Sequence, residues 1–235
     1  MGNAAEYNIG LVIYPGMTQL DITGPQQVFS FLPNSKVYCL WKNLEPVTSS
    51  DNLTILPTTT FADSPQLDVV CVPGGPGQVE MMRDTEVLEF LQHQGKTAKY
   101  ITSVCTGSLI LAAAGLLQGY RATSHWAFRD QLALLGVEVV NERVVIDRNR
   151  ITGGGVTAGI DFGLVIAAQL CGEDTAKLIQ LLLEYNPAPP FNVGSPENAG
   201  EALVKQVQKI GEQLITASLE QTKETAKLLG LGTSN

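Results

Sequence analysis

Apolar positions along the chain follow two different periods, which indicate two kinds of secondary structure. Several short runs are continuously apolar or rich in β-branched residues and end at Gly, Pro or Asn, as buried strands do. These predicted strands cover residues 8–15, 36–42, 53–61, 67–75, 99–104 and 121–125, with two more in 137–155 joined by a turn at 147–149.

Between these runs, apolar residues recur every three or four positions, which predicts helices. The first helix carries Gly24 and Pro25 in its interior, so an interruption is expected there. The predicted helices cover residues 18–32, 86–94, 108–117 and 126–136, with one or two more in 157–185. Strands that alternate with helices predict an α/β protein, with a doubly wound, mostly parallel sheet and helices on both faces.

The composition changes after residue 185, where a segment rich in Pro, Gly and Asn (186–200) predicts a loop or an arm. We therefore divide the chain into one α/β domain, residues 1–196, and a helical extension, residues 197–235. Within the extension, apolar residues at steps of four and three predict a seam along one helix: Leu203, Val207, Ile210, Leu214 and Ala217. Two positions for this helix stay open, against its own domain or against a second subunit.

An excess of acidic residues narrows the class of partner. The 235 residues include 23 Asp and Glu against 15 Lys and Arg, which gives a formal net charge of −8. Such a surface repels phosphate backbones and anionic lipids, so neither nucleic acid nor a membrane is expected as a partner. The longest apolar run, residues 109–117, is also too short to cross a bilayer.

Four cysteines lie far apart in the chain, which is typical of free thiols in a reducing cytoplasm rather than of a disulfide framework. Cys39, Cys71 and Cys171 stand among apolar neighbours and are expected to be inert. Cys105 differs, because it lies in "TSVCTGS", where a β-branched strand is followed directly by a helix of small apolar residues.

A helix that begins just after Cys105 directs its unpaired backbone N–H groups and its positive dipole end toward the sulfur. Both effects favour the thiolate, which is the nucleophilic form of the side chain. A tight turn at this point resembles the nucleophile elbow of other α/β enzymes. Cys105 is therefore the catalytic candidate, with a buried inert cysteine as the alternative.

Other motifs carry weaker signals. "GGGVTA" (153–158) has the G-x-G-x-x-A spacing, but no acidic residue follows at a strand end, so a nucleotide cofactor is not expected. Neither histidine has a metal partner at ligand spacing, so no metal site is expected. His93 is expected on a solvated helix face, whereas His125 ends a short strand and is a candidate for a hydrogen bond near the site.

Four segments resemble the ThiJ/PfpI superfamily of glutamine-amidotransferase-like proteins: "LDITGP", "VVCVPGGPG", "TSVCTGSLILAAAGLLQGYRATSHWA" and "TGGGVTAGIDFGL". The resemblance extends to about residue 196 and implies a flavodoxin-like fold, as in class I glutamine amidotransferases, and a homodimer. Transcription regulators of the AraC type share "TSVCTG" and "ATSHW" but add a DNA-binding domain. The segment after residue 196 is too short for such a domain, so a stand-alone enzyme is expected.

The resemblance also implies a catalytic site. The nucleophile of the family matches Cys105, and its acidic partner matches Asp21. Thr106 follows the nucleophile where protease-like relatives have a histidine base, so amide hydrolysis by a Cys–His pair is not expected. Gly74 and Gly75, together with the backbone amide of Thr106, match the anion-stabilising pocket of the family.

Within the superfamily, the chain resembles the isonitrile hydratases, which implies hydration of a small-molecule isocyanide, R–N≡C, to an N-substituted formamide. Attack by Cys105 would form a thioimidate, with Asp21 as the general acid and base. Val156 and Trp126 are expected to line an apolar pocket for the R group. Two alternatives stay open: a glyoxalase- or deglycase-like enzyme that acts on 2-oxoaldehydes, and a redox sensor in which Cys105 is oxidised.

Overall fold

The structure, a computed structural model, describes residues 7–231. Its strands are β1 (Tyr7–Val12), β2 (Ser35–Trp41), β3 (Val47–Thr48), β4 (Thr54–Ile55), β5 (Thr59–Thr60), β6 (Val69–Val72), β7 (Tyr100–Val104), β8 (Arg121–Ala122), β9 (Glu138–Val139), β10 (Val144–Asp147) and β11 (Arg150–Gly153). Its helices are α1 (Leu20–Phe29), α2 (Gln78–Met81), α3 (Thr85–Gly95), α4 (Gly107–Ala113), α5 (Ala158–Cys171), α6 (Glu173–Leu182), α7 (Pro196–Ala199), α8 (Glu201–Ile210) and α9 (Glu212–Leu228), with a 3₁₀ helix at Arg129–Leu135.

Seven strands form the central sheet in the order β10-β11-β7-β6-β1-β2-β5. Every neighbouring pair is parallel except the β10–β11 hairpin, whose turn lies where the sequence predicts it. Helix α1 packs against α5, and α3 packs against α4, so helices flank the sheet. The predicted fold class is therefore confirmed. All four residues of β6 are buried, as expected for a central strand that is covered on both faces.

Several predicted elements differ from the structure. The segment predicted as a helix over 126–136 forms a 3₁₀ helix, and 137–155 contains three strands rather than two. Helix α1 continues through Pro25, although a proline inside a helix removes one backbone hydrogen bond. Pro25 packs closely on α5, where a Cβ at Gly159 would lie 3.0 Å from the Cδ of the proline. The interruption expected at Gly24–Pro25 is therefore wrong. The strand predicted over 53–61 is instead two short strands, β4 and β5, on either side of Pro57.

The helical extension also differs from the prediction of one helix with an apolar seam. The helix breaks at Gly211 into α8 and α9, and the seam residues of α8 are exposed, with Ile210 86% exposed. Helix α9 packs instead against α2, α4 and the 3₁₀ helix of the same chain. Its buried face is polar and includes Ser218 and Thr222, because these hydroxyls form hydrogen bonds with buried side chains of the α/β domain.

The carboxyl ends of the central strands lie side by side and bring distant segments together. Val72 of β6 pairs with Ser103 of β7, and Val104 of β7 pairs with Gly153 of β11. The loops that follow these three strands therefore meet at one edge of the sheet, where parallel sheets bind ligands. Across residues 7–231, no helix combines the length and the hydropathy needed to cross a membrane.

Candidate active site

Cys105 occupies a sharp turn between β7 and α4. Its backbone has φ = +57°, in the left-handed region that residues other than glycine rarely adopt. Such a conformation costs about 1–3 kcal/mol and persists only where the surroundings impose it. The backbone N–H of Cys105 donates to the carbonyl oxygens of Gly153 (3.1 Å) and Gly154 (2.7 Å). The glycine-rich segment after β11 thus holds the turn in place.

The carbonyl group of Cys105 is held from the opposite side. It accepts hydrogen bonds from the hydroxyls of Ser108 (3.2 Å) and Ser124 (2.9 Å), both of which are buried. Two hydrogen bonds therefore fix the peptide group before Cys105, and two more fix the peptide group after it. The backbone is a preorganised elbow, as the spacing of "TSVCTGS" predicts.

Asp21, near the start of α1, is completely buried at this edge of the sheet. Its Oδ2 accepts a hydrogen bond from the backbone N–H of Gly74 (2.8 Å), whereas its Oδ1 has no partner among residues 7–231. Burial raises the pKa of Asp21 from the usual 3.8 to about 7, and the Gly74 and Cys105 interactions oppose that rise. The carboxyl group can therefore gain or lose a proton near neutral pH.

Burial also raises the pKa of the Cys105 thiol well above its usual value, and the negative charge of Asp21 adds to this effect. The amide and hydroxyl of Thr106 act in the opposite direction but are weaker. Burial of the sulfur therefore opposes the preference for the thiolate that is expected from the helix N-terminus.

Gly74 is required at its position by close packing. A Cβ there would lie 2.4 Å from the backbone N of Thr106 and 2.9 Å from the Cβ of Cys105. The N–H of Gly74 is donated to Asp21, and the N–H of Gly75 is donated to Thr106 Oγ1 (3.0 Å). The backbone amides of Gly74 and Gly75, which were expected to stabilise an anion, thus already donate to side chains of the site. These two hydrogen bonds hold Asp21 and Thr106 next to the elbow.

A cavity of about 160 Å³ adjoins the sulfur. Val156 lies in its wall, where the sequence suggests a contact with substrate, but Trp126 does not. Trp126 lines an adjoining cavity of about 410 Å³, which shares His125 and Val156 with the smaller one. The residues that line the smaller cavity are Thr18, Gly75, Pro76, Gln78, Cys105, Thr106, His125, Phe128, Val156 and Leu214.

His125 shares this wall in a neutral form. Burial lowers its pKa, and its Nδ1 accepts a hydrogen bond from the backbone N–H of Ala127 (3.3 Å), which leaves the hydrogen on Nε2. The structure describes no cluster of His, Cys, Asp or Glu in residues 7–231 that could hold a metal ion.

Several residues at the site were not predicted from the sequence, among them Tyr14, Gln78 and Leu214. Tyr14 lies below the acid and donates to the carbonyl oxygen of Pro73 (2.8 Å); burial and the charges of Asp21 and Cys105 raise its pKa well above the usual value. Gln78 follows directly on the "PGGPG" segment, whose position after a buried strand was the signal for the edge of the sheet. Leu214 comes from α9, and only tertiary packing brings it to the cavity.

The other cysteines have environments that differ from that of Cys105. Cys71 is completely buried in β6, and burial raises its pKa to about 12. Burial also raises the pKa values of Cys39 and Cys171. None of the three lines the cavity beside Cys105.

Known proteins share this architecture. The model of the DJ-1/PfpI family matches residues 8–169. An isonitrile hydratase from Pseudomonas putida is 52% identical over 95% of this chain and 98% of its own length. The HTH-type transcriptional regulator GbdR from Pseudomonas aeruginosa is 31% identical over 78% of this chain, which spans about half of the regulator (52%). The crystal structure of a ThiJ/PfpI family protein from Pseudomonas syringae has a TM-score of 0.90 and 46% identity, with 93% of this chain and 91% of that chain covered.

Fold and site together define an α/β protein with a cysteine at a strand-to-helix elbow beside a buried carboxyl group. The chain belongs to the DJ-1/PfpI family, which confirms the resemblance found in its sequence.

Proposed function

We propose that this protein is an isonitrile hydratase, a carbon–oxygen lyase that adds water to R–N≡C and releases R–NH–CHO. Its 52% identity to the Pseudomonas putida isonitrile hydratase, over 95% of this chain, supports the assignment. The observation that carries the mechanism is the pairing of Cys105, held at the elbow, with Asp21, whose pKa lies near 7. A nucleophile and a group that exchanges protons at neutral pH are the two parts that this hydration needs.

The first step adds the Cys105 thiol across the terminal carbon of the isocyanide. The sulfur forms a bond to that carbon, the thiol proton is transferred to the same carbon, and the C≡N bond becomes C=N. Asp21 accepts the proton from sulfur and delivers it to carbon, so a neutral resting thiol is compatible with the step. The product is the thioimidate R–N=CH–S–Cys105, no atom leaves, and Asp21 ends the step ionised.

The second step adds water to the thioimidate carbon. The water oxygen bonds to carbon, while one water proton is transferred through Asp21 to the nitrogen, which gives R–NH–CH(OH)–S–Cys105. The C–S bond then breaks, and the hydroxyl proton returns to sulfur. The formamide is released with the thiol regenerated, and no cofactor takes part in either step.

The lining of the cavity suits this substrate. Val156, Phe128 and Leu214 supply apolar surface for the R group. The hydroxyl of Thr106 accepts from the N–H of Gly75, so its own proton is available to the attacking water or to the oxygen bound to carbon. We therefore assign Thr106 an orienting role and Cys105 and Asp21 the chemical steps.

Product analysis tests the proposal. Purified protein incubated with an aryl isocyanide should yield the N-aryl formamide, and Cys105→Ala should abolish it. Cys171→Ala is the matched control, because that cysteine is half-buried on α5 and away from the cavity; it should retain full activity. Lactate from methylglyoxal without formamide from any isocyanide would favour the glyoxalase alternative and contradict the assignment. Selective oxidation of Cys105 without turnover of either substrate would favour the redox sensor.

We also propose that the protein is a homodimer in the cytoplasm. Leu178, Leu181 and Leu182 lie on one exposed surface of α6, with 59%, 79% and 60% exposure, and Phe191 of the arm is 76% exposed. Burial of these side chains by a second copy would remove apolar surface from water. Size-exclusion chromatography with light scattering measures the mass of the protein in solution, and a monomer at micromolar concentration would contradict the dimer.

A further inference from the structure

Gln78, a residue that lines the catalytic cavity, has a buried side-chain oxygen without a hydrogen-bond partner in residues 7–231. Its side chain lines the same cavity as Cys105 and Thr106, and it is only 1% exposed. Its Oε1 has no hydrogen-bond partner within residues 7–231. A buried amide oxygen without a partner destabilises the folded protein, so a ligand that supplies a hydrogen bond is expected there.

A chain of buried hydrogen bonds from α9 determines which atom of Gln78 stays free. The Nε2 of Gln131 donates to the carbonyl oxygen of Ile215 (3.4 Å), so its Oε1 must be the atom that accepts from Ser218 (2.7 Å) and Thr222 (3.1 Å). The single hydroxyl proton of Ser218 is then used, and Ser218 can only accept from Gln78.

Gln78 therefore donates through Nε2 to Ser218 Oγ (2.9 Å). Its Oε1 is left as an acceptor with no donor of its own. The reverse orientation of the Gln78 amide would place an acceptor against the Ser218 oxygen, whose proton is already committed to Gln131. The network thus keeps one orientation of the amide.

An acceptor at this point distinguishes between the two reactants of the proposed hydration, on which this inference rests. An isocyanide has no hydrogen-bond donor, so Oε1 contributes nothing to its binding. Water has two protons, of which one is transferred through Asp21 and the other is free to bind an acceptor. We propose that Gln78 binds the water that attacks the thioimidate carbon, through Oε1, and that Ser218 and Gln131 are positioning residues that orient it.

Separation of the two chemical steps tests the proposal. Addition of the thiol raises the mass of the protein by the whole mass of the isocyanide, so quenched-flow mass spectrometry follows both the formation and the decay of the thioimidate. In Gln78→Met, which has a similar length but no acceptor, formation should stay within about twofold of wild type. Decay of the thioimidate should slow about tenfold, because the attacking water loses one hydrogen bond, and the adduct should accumulate.

Two further variants sharpen the result. Ser218→Ala leaves Gln78 in place but frees its amide to rotate, so decay should slow severalfold while formation stays unchanged. Gln221→Met is the matched control, because the buried side chain of Gln221 on α9 forms a hydrogen bond with Thr225 and lies outside the cavity; both rates should equal those of wild type. If Gln78→Met does not fold, Ser218→Ala decides the question.

Equal slowing of both steps in Gln78→Met would overturn the proposal, since a purely structural role affects the site as a whole. An unchanged decay rate in Gln78→Met, or in Ser218→Ala when Gln78→Met does not fold, would also overturn it. Failure of the proposed function is a different result, because wild-type protein would then form neither adduct nor formamide.

Discussion

Replacement of Asp21 by Asn should make the protein more stable while it removes the activity. The side chain is completely buried, and its Oδ2 accepts one hydrogen bond from Gly74. Asparagine has nearly the same shape and keeps an oxygen that can accept this bond, but it has no charge. The substitution therefore isolates the free energy that the folded protein loses by burying a carboxylate.

The magnitude follows from the pKa of Asp21, which burial raises from 3.8 to about 7. A rise in pKa of this size changes the free energy of unfolding by about 4 kcal/mol between low and high pH. The pKa is raised in the folded state, so the folded protein binds this proton more tightly than the unfolded chain does. The free energy of unfolding of the wild type is therefore highest below pH ~4, falls as the pH rises, and is lower by the full amount above pH ~7. At pH 8 the wild type therefore buries a charge that Asp21→Asn does not have.

Thermal unfolding measured between pH 5 and pH 8 at constant ionic strength tests this reasoning. For a chain of this length, 1 kcal/mol shifts the melting temperature by about 2–4 °C, so Asp21→Asn should melt roughly 10 °C above wild type at pH 8. The difference should fall by about half at pH 5, where the wild-type carboxyl group is protonated in the folded state. At pH 8, where Asp21 is ionised in the wild type, formamide production should fall by ~10²–10⁴-fold in Asp21→Asn.

Asp63→Asn makes the same change at an exposed carboxylate and serves as the control. Its melting temperature should equal that of wild type at both pH values. A melting difference between Asp21→Asn and wild type that is the same at pH 5 and pH 8 would refute the argument, because the ionised carboxylate would then not be its source. Full activity in Asp21→Asn would refute the catalytic role.

Further outcomes follow from the same geometry. In wild type, kcat/KM should rise with pH up to about 7 and then level off, because Asp21 and the thiol must together hold one proton; a profile flat from pH 5 to 8 would contradict this. Gly74→Ala should abolish turnover and slow thiol alkylation, since its Cβ would lie 2.4 Å from Thr106 N; normal kinetics would contradict the close packing. Thr106→Val should lower the free energy of unfolding by about 1–3 kcal/mol in urea titrations, because the N–H of Gly75 loses its acceptor. Leu214→Ala should lower KM for bulky isocyanides relative to small ones, and an unchanged ratio would remove Leu214 from the pocket.

Local patterns in the sequence were sufficient for the elements that form from neighbouring residues. The continuous apolar run of β6 identifies a central strand, since only a strand covered on both faces has no polar side. The elbow at Cys105 was predicted because a strand and a helix meet there within two residues. Pro25 was judged only by its local cost, and its packing against Gly159 outweighs that cost in the folded protein.

The helical extension shows where a periodic pattern misleads. Steps of four and three placed Ile210 and Leu214 in one apolar seam, but Gly211 divides the helix between them. Leu214 lines the catalytic cavity, whereas Ile210 is exposed. The face of α9 that docks is polar, and no hydropathy pattern predicts that a serine will be buried, because its hydrogen-bond partners lie on other elements.

The sequence by itself determined the alternation of strands and helices and the elbow at Cys105, because each depends on residues that are adjacent in the chain. Only the tertiary structure decided the protonation of the site and the residues that complete it. The pKa of Asp21 depends on how much solvent the whole fold removes from one carboxyl group, and the orientation of Gln78 depends on Ser218, 140 positions away. Such properties arise from contacts between distant segments, which exist only when the chain is folded.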